Sequence, residues 1–506
     1  MFVFPVLLTV IVGLLSYIIW WYHKRLVYWS EQGIAYEKPH WLWGNFKGLM
    51  SQFNFHDMCH KYYRKFKGTG PFAGFYFASK PTVFVLDPKL IQHILIKDFS
   101  NFTDHGFYYN EEDDPLTGQL FLLDGLKWKN MRNKLSPTFT SGKMKHMFPI
   151  ILDIGEEFIE VMAQEIKEHK NIIEIKDLTG RFTTDVIGTC AFGIDCNSLK
   201  EPHTEFRVMG KRAIKEQRHG LLANGLMQNF PDMARRLHVK QIPDDIEKFY
   251  INLVKQTVEY REQNNVRRND LMDTLIDLKN KKLIQSEHGE ELSNLTLNQI
   301  AAQAFVFFNA GFETSSTTMS FALYELAKNP EIQEKARMEI DEVLENYQQK
   351  FTYESMKEMK YLNQIISETL RLYTVLPMIS RTALSDYVVP GHPNYVIKKG
   401  MNVSIPACSI HRDPDYYSKP DDFNPDHFAD DVVAQRESCV YLPFGEGPRN
   451  CIGMRFGKMQ TVIGLVMLLR NFKFSVCDQT EIPLSYDKKS FMLATEKGIY
   501  LKVETI

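Results

Sequence analysis

The chain opens with an unbroken run of apolar and aromatic side chains. Residues 1–22 carry no charge, and His23, Lys24 and Arg25 follow directly. A helix of that length spans roughly 30 Å, the thickness of the hydrocarbon core of a bilayer. A cleaved signal peptide is the alternative, but it would place positive charge before a shorter apolar run. The pattern therefore predicts a transmembrane anchor over 1–22, with the rest of the chain on the cytosolic side.

After the anchor, the pattern predicts a short linker and one large domain. Residues 23–45 are basic at the start and contain Pro39 and Gly44, which favour a stiff turn. No segment rich in proline, glycine or serine interrupts residues 46–506. We expect this part to fold as a single catalytic domain.

The periodicity of the domain is mostly helical. A long apolar pattern runs from Thr296 to about Asn329, and Thr296 with Gln299 forms a capping-box sequence. Because it is apolar around much of its circumference, this helix should be buried. A second helix is predicted over roughly 352–373, and a β-branched run at 82–86 predicts a strand. The expected fold class is mainly α with a small β region.

Composition narrows the classes of function. The chain has 506 residues, 60 basic and 62 acidic, and a net charge of -2. A nucleic-acid partner usually needs a basic excess, so none is expected. The seven cysteines are irregularly spaced, which argues against a disulfide framework and a four-ligand zinc site.

The most specific segment is residues 443–453, P-F-G-E-G-P-R-N-C-I-G. Gly445 and Gly447 permit tight turns, and Cys451 precedes a helical pattern. Free N–H groups and the helix dipole at such a position stabilise a thiolate, which is a good axial ligand for haem iron. Gly453 leaves room for a flat ligand. The alternatives are a phosphate loop, although no G-K-[ST] follows, and a buried structural thiol.

These residues carry a resemblance. The segment resembles the haem-binding signature of the cytochrome P450 superfamily, matched at Phe444, Gly445, Gly447, Arg449, Cys451 and Gly453. Three further stretches resemble family motifs in the family's order: W-x-x-x-R at Trp128–Arg132, A-G-x-E-T at Ala310–Thr314 and E-x-x-R at Glu368–Arg371. The stretch from Asn110 to Met144, with the short anchor, is similar to insect microsomal members that handle foreign compounds and plant toxins.

The resemblance implies a P450 fold that binds haem b, with Cys451 as the axial ligand of the iron. It implies that Trp128, Arg132, Arg381 and Arg449 bind the haem propionates, and that Phe444, Gly445 and Gly453 line the cofactor. Read from the residues alone, Trp128 and Arg132 could equally be a core tryptophan beside a surface arginine.

The resemblance also assigns two catalytic residues on the long helix. Thr314 would donate a hydrogen bond to bound O2, and Glu313 would help to relay protons from solvent. The alternative for Thr314 is a hydroxyl bonded to a carbonyl of its own helix. Gly311 is expected to loosen the helix and widen this groove.

Glu368 and Arg371 are predicted to be structural and to hold the cysteine loop. A buried pair of this kind needs a third polar partner, which in the family is usually an arginine in P-x-R-F. Here the stretch is F-N-P-D-H-F, with His427 in that place. An imidazole cannot replace a bidentate guanidinium, so the sequence leaves open whether His427 completes the network.

Family positions imply a substrate pocket that includes Phe107, Phe121, Phe305, Phe308, Ala310, Leu376, Met378 and Phe491, each of which could instead be core packing. Several basic residues lie near the haem-binding segments, and some of them are expected to form a basic face for an acidic flavoprotein: Lys127, Lys129, Lys134, Lys143, Lys145, Arg455 and Lys458. The alternative for this set is ordinary solvated surface. The apolar, loop-like stretch 219–230 either dips into the membrane or is a core loop.

The sequence therefore predicts a haem-thiolate monooxygenase of the endoplasmic reticulum membrane. The resemblance implies that it inserts one oxygen atom of O2 into lipophilic small molecules. The chain has no dinucleotide motif, so NADPH would act through a partner reductase, with cytochrome b5 as a second possible donor. The alternatives are a haem-thiolate isomerase or dehydratase, which needs no O2, and a haem or lipid carrier without turnover.

Overall fold

The computed structural model describes residues 3–268, 270–280, 284–285, 291–292 and 294–506, and most of them are helical. The α-helices are α1 (Val3–Leu26), α2 (Tyr28–Glu31), α3 (Phe55–Phe66), α4 (Pro88–Gln92), α5 (Gly125–Leu135), α6 (Ser141–Glu168), α7 (Ile175–Ile187), α8 (Glu205–Lys215), α9 (Leu221–Asn229), α10 (Pro231–Arg236), α11 (Asp244–Asn264), α12 (Leu271–Asn280), α13 (Leu297–Lys328), α14 (Pro330–Asn346), α15 (Tyr353–Glu358), α16 (Lys360–Leu372), α17 (Ala407–Ile410), α18 (Asp430–Gln435) and α19 (Met454–Asn471).

The β part is small. Its strands are β1 (Phe72–Phe77), β2 (Lys80–Val85), β3 (Ile172–Glu174), β4 (Ile284–Gln285), β5 (Glu291–Leu292), β6 (Ile379–Thr382), β7 (Tyr387–Val389), β8 (His392–Ile397), β9 (Asn402–Ile405), β10 (Phe472–Ser475) and β11 (Tyr500–Thr505). The larger sheets have the orders β1-β2-β9-β6 and β10-β11-β3, and only the β2–β9 pair within them is parallel. The predicted mainly α fold class with a small β region is confirmed.

The long buried helix is confirmed as α13. Its capping box is formed, because Thr296 Oγ1 accepts the Gln299 N–H (3.2 Å) and Gln299 Oε1 accepts the Thr296 N–H (3.0 Å). The helix packs against α7 and α19 through the main core. A Cβ on Gly464 of α19 would lie 2.5 Å from Met319 Sδ, so the small residue permits this close approach. α13 therefore runs through the centre of the domain.

The prediction of one continuous helix over 352–373 is wrong. The chain forms α15 and α16, which are separated at Met359. The break follows from a long-range contact, because the Glu339 carboxylate on α14 accepts the N–H groups of Tyr361 (2.6 Å) and Leu362 (2.9 Å). A side chain from another helix thus satisfies the first donors of α16 and starts a new helix.

Two other stretches differ from their predicted form. α1 extends past residue 22 to Leu26, and its apolar side chains are exposed; residues 1 and 2 lie outside the described chain. Within the described residues, one helical stretch, Phe4–Leu26, is long and apolar enough to cross a membrane. The prediction of a loop in 219–230 is wrong, because Leu221–Asn229 is helical. Its helical turns satisfy the backbone groups of an apolar stretch internally.

Candidate active site

The segment 443–453 forms a tight loop that ends at the start of α19. Gly445 and Gly447 have φ values of +69° and +73°, in the left-handed region that favours glycine. A Cβ on Gly447 would lie 1.8 Å from the Leu95 carbonyl oxygen. The Cys451 N–H donates to the Phe444 carbonyl (2.8 Å), which closes the loop. Both glycines are therefore required by the backbone path that presents Cys451.

Cys451 is accessible, unlike the other six cysteines, all of which lie in the described chain and are buried or half-buried. Protein still encloses most of the thiol, and this burial raises its pKa; the Gly453 N–H and the positive charge of Arg132 act in the opposite direction. A Cβ on Gly453 would meet nothing closer than Phe139 Cε1 at 4.0 Å. The surface beside the sulfur is therefore open to a flat ligand.

Two buried arginines lie near each other beside this loop. Arg449 lies over the Trp128 ring (4.7 Å to the centroid) and donates to the carbonyl groups of Thr103 and Leu123. Arg381 donates to the Ser380 carbonyl (2.8 Å). Burial, and then the charge of Arg449, lower the pKa of Arg381 to about 9. The pair is thus a concentration of buried positive charge.

The charge of this pair is incompletely compensated. The buried Nε atoms of Arg381 and Arg449 have no hydrogen-bond partner, and the Asp124 carboxylate lies 3.8 Å from Arg449. Buried cations without full pairing are costly, and charge-assisted bonds to carboxylates are the usual compensation. The two propionates of haem are carboxylates of this kind, so the donor set fits the cofactor.

His105 belongs to the same cluster and was not among the residues singled out from sequence. Its Nδ1 lies 2.9 Å from the Phe121 carbonyl oxygen, and its ring is 4.7 Å from the Phe121 ring. Burial, followed by the charges of Arg449 and Arg381, lowers its pKa well below the usual range. His105 is neutral here, and no motif in the sequence marks it.

Arg132 contacts the cysteine loop. Its guanidinium donates to the carbonyl oxygen of Asn450 (2.8 Å) and to the Asn450 side-chain oxygen (2.9 Å). The four residues predicted to bind propionates therefore play different parts in this structure. Arg381 and Arg449 have free Nε atoms, Trp128 supports Arg449, and Arg132 supports the loop.

Glu313 and Thr314 make separate contacts. The Thr314 hydroxyl donates to the Ala310 carbonyl (2.6 Å), which is the alternative that the sequence left open. Glu313 pairs with Lys176 of α7 (2.9 Å). Lys176 also donates to the hydroxyls of Ser316 and Thr317, both at 2.7 Å. The hydrogen bonds of these two side chains thus go to different partners, and sequence reasoning missed Lys176 because it lies far away in the chain.

α13 is a continuous helix through Gly311, and the expected loosening of the helix does not interrupt it there. The glycine instead permits close packing, because a Cβ there would lie 2.8 Å from Ile187 Cδ1. Its carbonyl accepts a hydrogen bond from the Gln460 amide of α19 (2.8 Å). The position of Gly311 is thus determined by two neighbouring helices.

The E-x-x-R pair is fully buried and bidentate. Arg371 donates to both carboxylate oxygens of Glu368, at 2.7 Å each. His427 Nδ1 lies 3.1 Å from Glu368 Oε1, and its Nε2 lies 2.8 Å from the Ser418 carbonyl. The remaining Arg371 donors reach the carbonyl groups of His411, Pro420 and Asp422. His427 therefore joins the network with a single bond to Glu368.

The predicted pocket residues divide into two groups. Phe107 and Phe121 are stacked (5.6 Å between centroids), and Phe121 is 41% exposed. Ala310, Leu376 and Phe491 are also exposed, and Met378 is half-buried.

Phe305 and Phe308 lie on the core side. Phe305 packs on Tyr250 (4.9 Å between centroids), and Phe308 is completely buried against Phe206 (4.7 Å). Neither side chain presents much surface, and the place of Phe305 and Phe308 in a substrate pocket stays a prediction.

Comparisons with known proteins agree with this site. A family model described as "Cytochrome P450" matches residues 35–503. The chain is 57% identical over 504 residues to "Cytochrome P450 6a9" of Drosophila melanogaster, with all of both chains covered. It is 56% identical over 501 residues to "Probable cytochrome P450 6a21" of the same species, covering 99% of each.

A third relative comes from another fly. "Cytochrome P450 6A1" of Musca domestica is 45% identical over 502 residues, covering 99% of this chain and 97% of that one. The predicted similarity to insect members is confirmed. Membership implies haem ligated by a cysteine thiolate and a redox partner that delivers electrons. The chain therefore belongs to the cytochrome P450 family and is a P450 monooxygenase.

Proposed function

We propose that this P450 inserts one oxygen atom of O2 into lipophilic small molecules such as xenobiotics, plant toxins, insecticides or hormones. The observation that carries the proposal is the exposed residue Cys451 beside two buried, incompletely paired arginines. A thiolate would bind the iron of haem b, and guanidinium groups would pair with its two propionates.

Each part of the cofactor has residues suited to hold it. Cys451 would bind the iron, and Gly453 and Phe444 would lie along the ring. Arg381 and Arg449 would pair with the propionates, while Trp128 and Arg132 keep Arg449 and the cysteine loop in place. Haem, when bound, supplies the O2 and one-electron chemistry that no side chain of this protein can supply.

On the helix side of the site, Thr314 and Glu313 would handle protons. The Thr314 hydroxyl donates its proton to the Ala310 carbonyl, so its oxygen is free to accept a hydrogen bond from a donor in the groove. Glu313 has to leave Lys176 before it can exchange a proton with that groove. The pair therefore suits a relay in which the acid moves between two positions.

Substrate would bind against apolar walls. Phe121, Leu376, Phe491 and Ala310 present exposed apolar surface, and the half-buried Phe107 stacks on Phe121. Walls of this kind with few polar groups select lipophilicity more than a particular shape. This composition supports a loosely specified lipophilic substrate.

Electrons would come from NADPH through a membrane-bound flavoprotein reductase, with cytochrome b5 as a second donor. Lys129, Lys143 and Arg455 are at least partly exposed and could form the docking face. The remaining members of the predicted face are less suited. Lys127 and Lys145 pair with Glu111 and Glu354, Lys458 lies over the Phe444 ring, and Lys134 is only 9% exposed.

We also propose that residues 1–22 anchor the chain in the endoplasmic reticulum membrane. Residues 23–45 would be the linker, and 46–506 the catalytic domain on the cytosolic face. The exposed apolar helix α1 followed by basic residues supports this arrangement.

The test is the absorption of the reduced protein with carbon monoxide. Wild type should show the long-shifted Soret band of thiolate ligation and consume NADPH when purified reductase and a lipophilic probe are added. Cys451→Ser should lose both, because a serine hydroxyl does not replace the thiolate. Cys477→Ser, at a half-buried cysteine elsewhere, should retain both. Product formation by colourless Cys451→Ser protein would overturn the proposal.

A further inference from the structure

Arg436 lies between α18 and the cysteine loop, with its guanidinium among aromatic rings. The distances to the ring centroids are 4.4 Å for Phe428, 5.0 Å for Tyr417 and 5.9 Å for Tyr441. It also donates to the His427 carbonyl. Cation–π contacts strengthen when the cation is partly desolvated, and Arg436 is half-buried.

Two of these rings hold the segment that leads into the cysteine loop. The Tyr417 hydroxyl donates to the Val440 carbonyl (3.1 Å). The Tyr441 hydroxyl donates to the Ser367 carbonyl on α16 (3.0 Å). Both rings thus fix consecutive residues of the chain, and Arg436 lies against both.

The next residue is held as well. The Leu442 N–H donates to His411 Nε2 (2.7 Å), and the Gly445 N–H donates to the Leu442 carbonyl (3.1 Å). The Gly445 turn then leads to Cys451. Displacement of Tyr441 would therefore be transmitted to the turn that presents the sulfur.

The need for Arg436 follows from the replacement at position 427. An arginine there could make several bonds and place a planar cation against the rings, whereas His427 makes one bond to Glu368 and one to Ser418. Arg371 lies over Tyr417 (4.9 Å) but its donors are committed to Glu368 and to backbone carbonyls. Arg436 is the remaining guanidinium near these rings in the described chain.

We propose that Arg436 is a positioning residue that takes the place of the P-x-R-F arginine and holds the cysteine loop in its thiolate-binding geometry. The inference rests on the proposed function to the extent that Cys451 must bind haem. It predicts that Arg436 is dispensable once an arginine stands at position 427.

The test compares Arg436→Ala, Arg436→Lys, His427→Arg with Arg436→Ala, and Arg470→Ala as the matched control. Arg470 is another half-buried arginine, and it donates to Gln349. The readouts are haem per chain and the rate at which the reduced carbon monoxide complex loses its long-shifted Soret band on mild heating. Circular dichroism checks that the helices stay folded.

Arg436→Ala should lose the thiolate band about tenfold faster than wild type, as expected when a desolvated cation–π cluster is removed. Arg436→Lys should be intermediate, and it provides the comparison if Arg436→Ala does not accumulate. The double variant should return to the wild-type rate, and Arg470→Ala should match wild type.

A wild-type rate in both Arg436 variants would overturn the inference, and so would a double variant as unstable as Arg436→Ala. Absence of a thiolate band in wild type would instead overturn the proposed function, so the two failures are distinguishable.

Discussion

At the residue scale, the hydroxyl proton of Thr314 decides what this side chain can do. It is donated to the Ala310 carbonyl, as for many threonines inside helices. The hydroxyl can therefore accept a bond from the groove without breaking its own. The contact with the helix thus orients the oxygen and is compatible with a part in proton delivery.

Thr314→Ala should keep haem bound but divert electrons from product to peroxide. Removing the hydroxyl removes an oriented acceptor, and loss of a group that assists proton transfer typically costs about 10²–10⁴-fold in the assisted step. Peroxide and product per NADPH are measured, with Thr318→Ala as control because that hydroxyl bonds the Thr314 carbonyl on the same helix. Coupling equal to wild type would rule out the role.

Glu313 and Lys176 form an ion pair, and the contribution of each side chain to stability should depend on the presence of the other. Their side chains are 17% and 22% exposed, so a lone partner would remain as a poorly solvated charge. Lys176→Met and Glu313→Gln should each destabilise the fold, and the double variant should cost less than their sum by about 1–3 kcal/mol. Unfolding free energies of the four proteins measure this. Strict additivity would contradict the pair.

At the element scale, α9, α10 and the residues at their ends carry several exposed apolar side chains. Leu226 (57% exposed), Phe230 (38%), Met233 (52%) and Leu237 (66%) follow one another at spacings of three or four residues. α9 ends at Asn229 and α10 begins at Pro231, so these side chains do not belong to one continuous helix. Exposed apolar side chains concentrated in one short stretch nevertheless suit the interface of a bilayer. The helix that replaced the expected loop thus gives the membrane-contact reading of 219–230 a defined surface.

A chain without residues 1–26 should therefore remain partly bound to vesicles. Replacing Leu226, Met233 and Leu237 by Ser in that chain should lower the partition coefficient by more than about tenfold, since fully burying a Leu or Met is worth about 1.5–3 kcal/mol. Vesicle sedimentation measures the effect, and Met338→Ser, at an exposed methionine on α14, is the control. A truncated chain that is fully soluble would exclude the contact.

At the scale of the whole molecule, two buried histidines hold the end of α16. His56 of α3 lies 2.7 Å from the Thr374 carbonyl, and His411 lies 2.7 Å from the Thr374 hydroxyl. Burial lowers the pKa of His56 to about 4 and that of His411 to about 3. Both are neutral in the fold, between the cluster that contains the larger sheet and the main helical core.

Stability should fall as the pH drops below about 6.5. Below that pH the unfolded chain protonates both imidazoles while the folded chain does not, so their contribution is intact above 6.5 and decreases toward the folded pKa values. Each histidine should lower the free energy of unfolding by about 1.4 kcal/mol at pH 5.5. His411→Gln should reduce the loss of unfolding free energy between pH 7.5 and 5.5 by about that amount. His146→Gln, at an exposed histidine, controls for the substitution, and an unchanged loss in His411→Gln would contradict the assignment.

Several features were determined by the sequence alone because contiguous residues encode them. The apolar stretch of α1 and the buried α13 follow from local periodicity, and the start of α13 follows from its capping box. The turns before Cys451 follow from the backbone freedom of glycine. The order of the motifs was enough to indicate the family. These are short-range properties, which a chain carries before it folds.

Tertiary structure alone decided how the site residues are partnered. The break at Met359 depends on the Glu339 carboxylate, and the position of Glu313 depends on its ion pair with Lys176. The lowered pKa of Arg381 depends on burial and on the nearby charge of Arg449. His105 entered the site although no motif marks it. In each case the partner lies more than twenty residues away or in another element, so burial and pairing exist only once the helices pack, and local pattern contains no information about them.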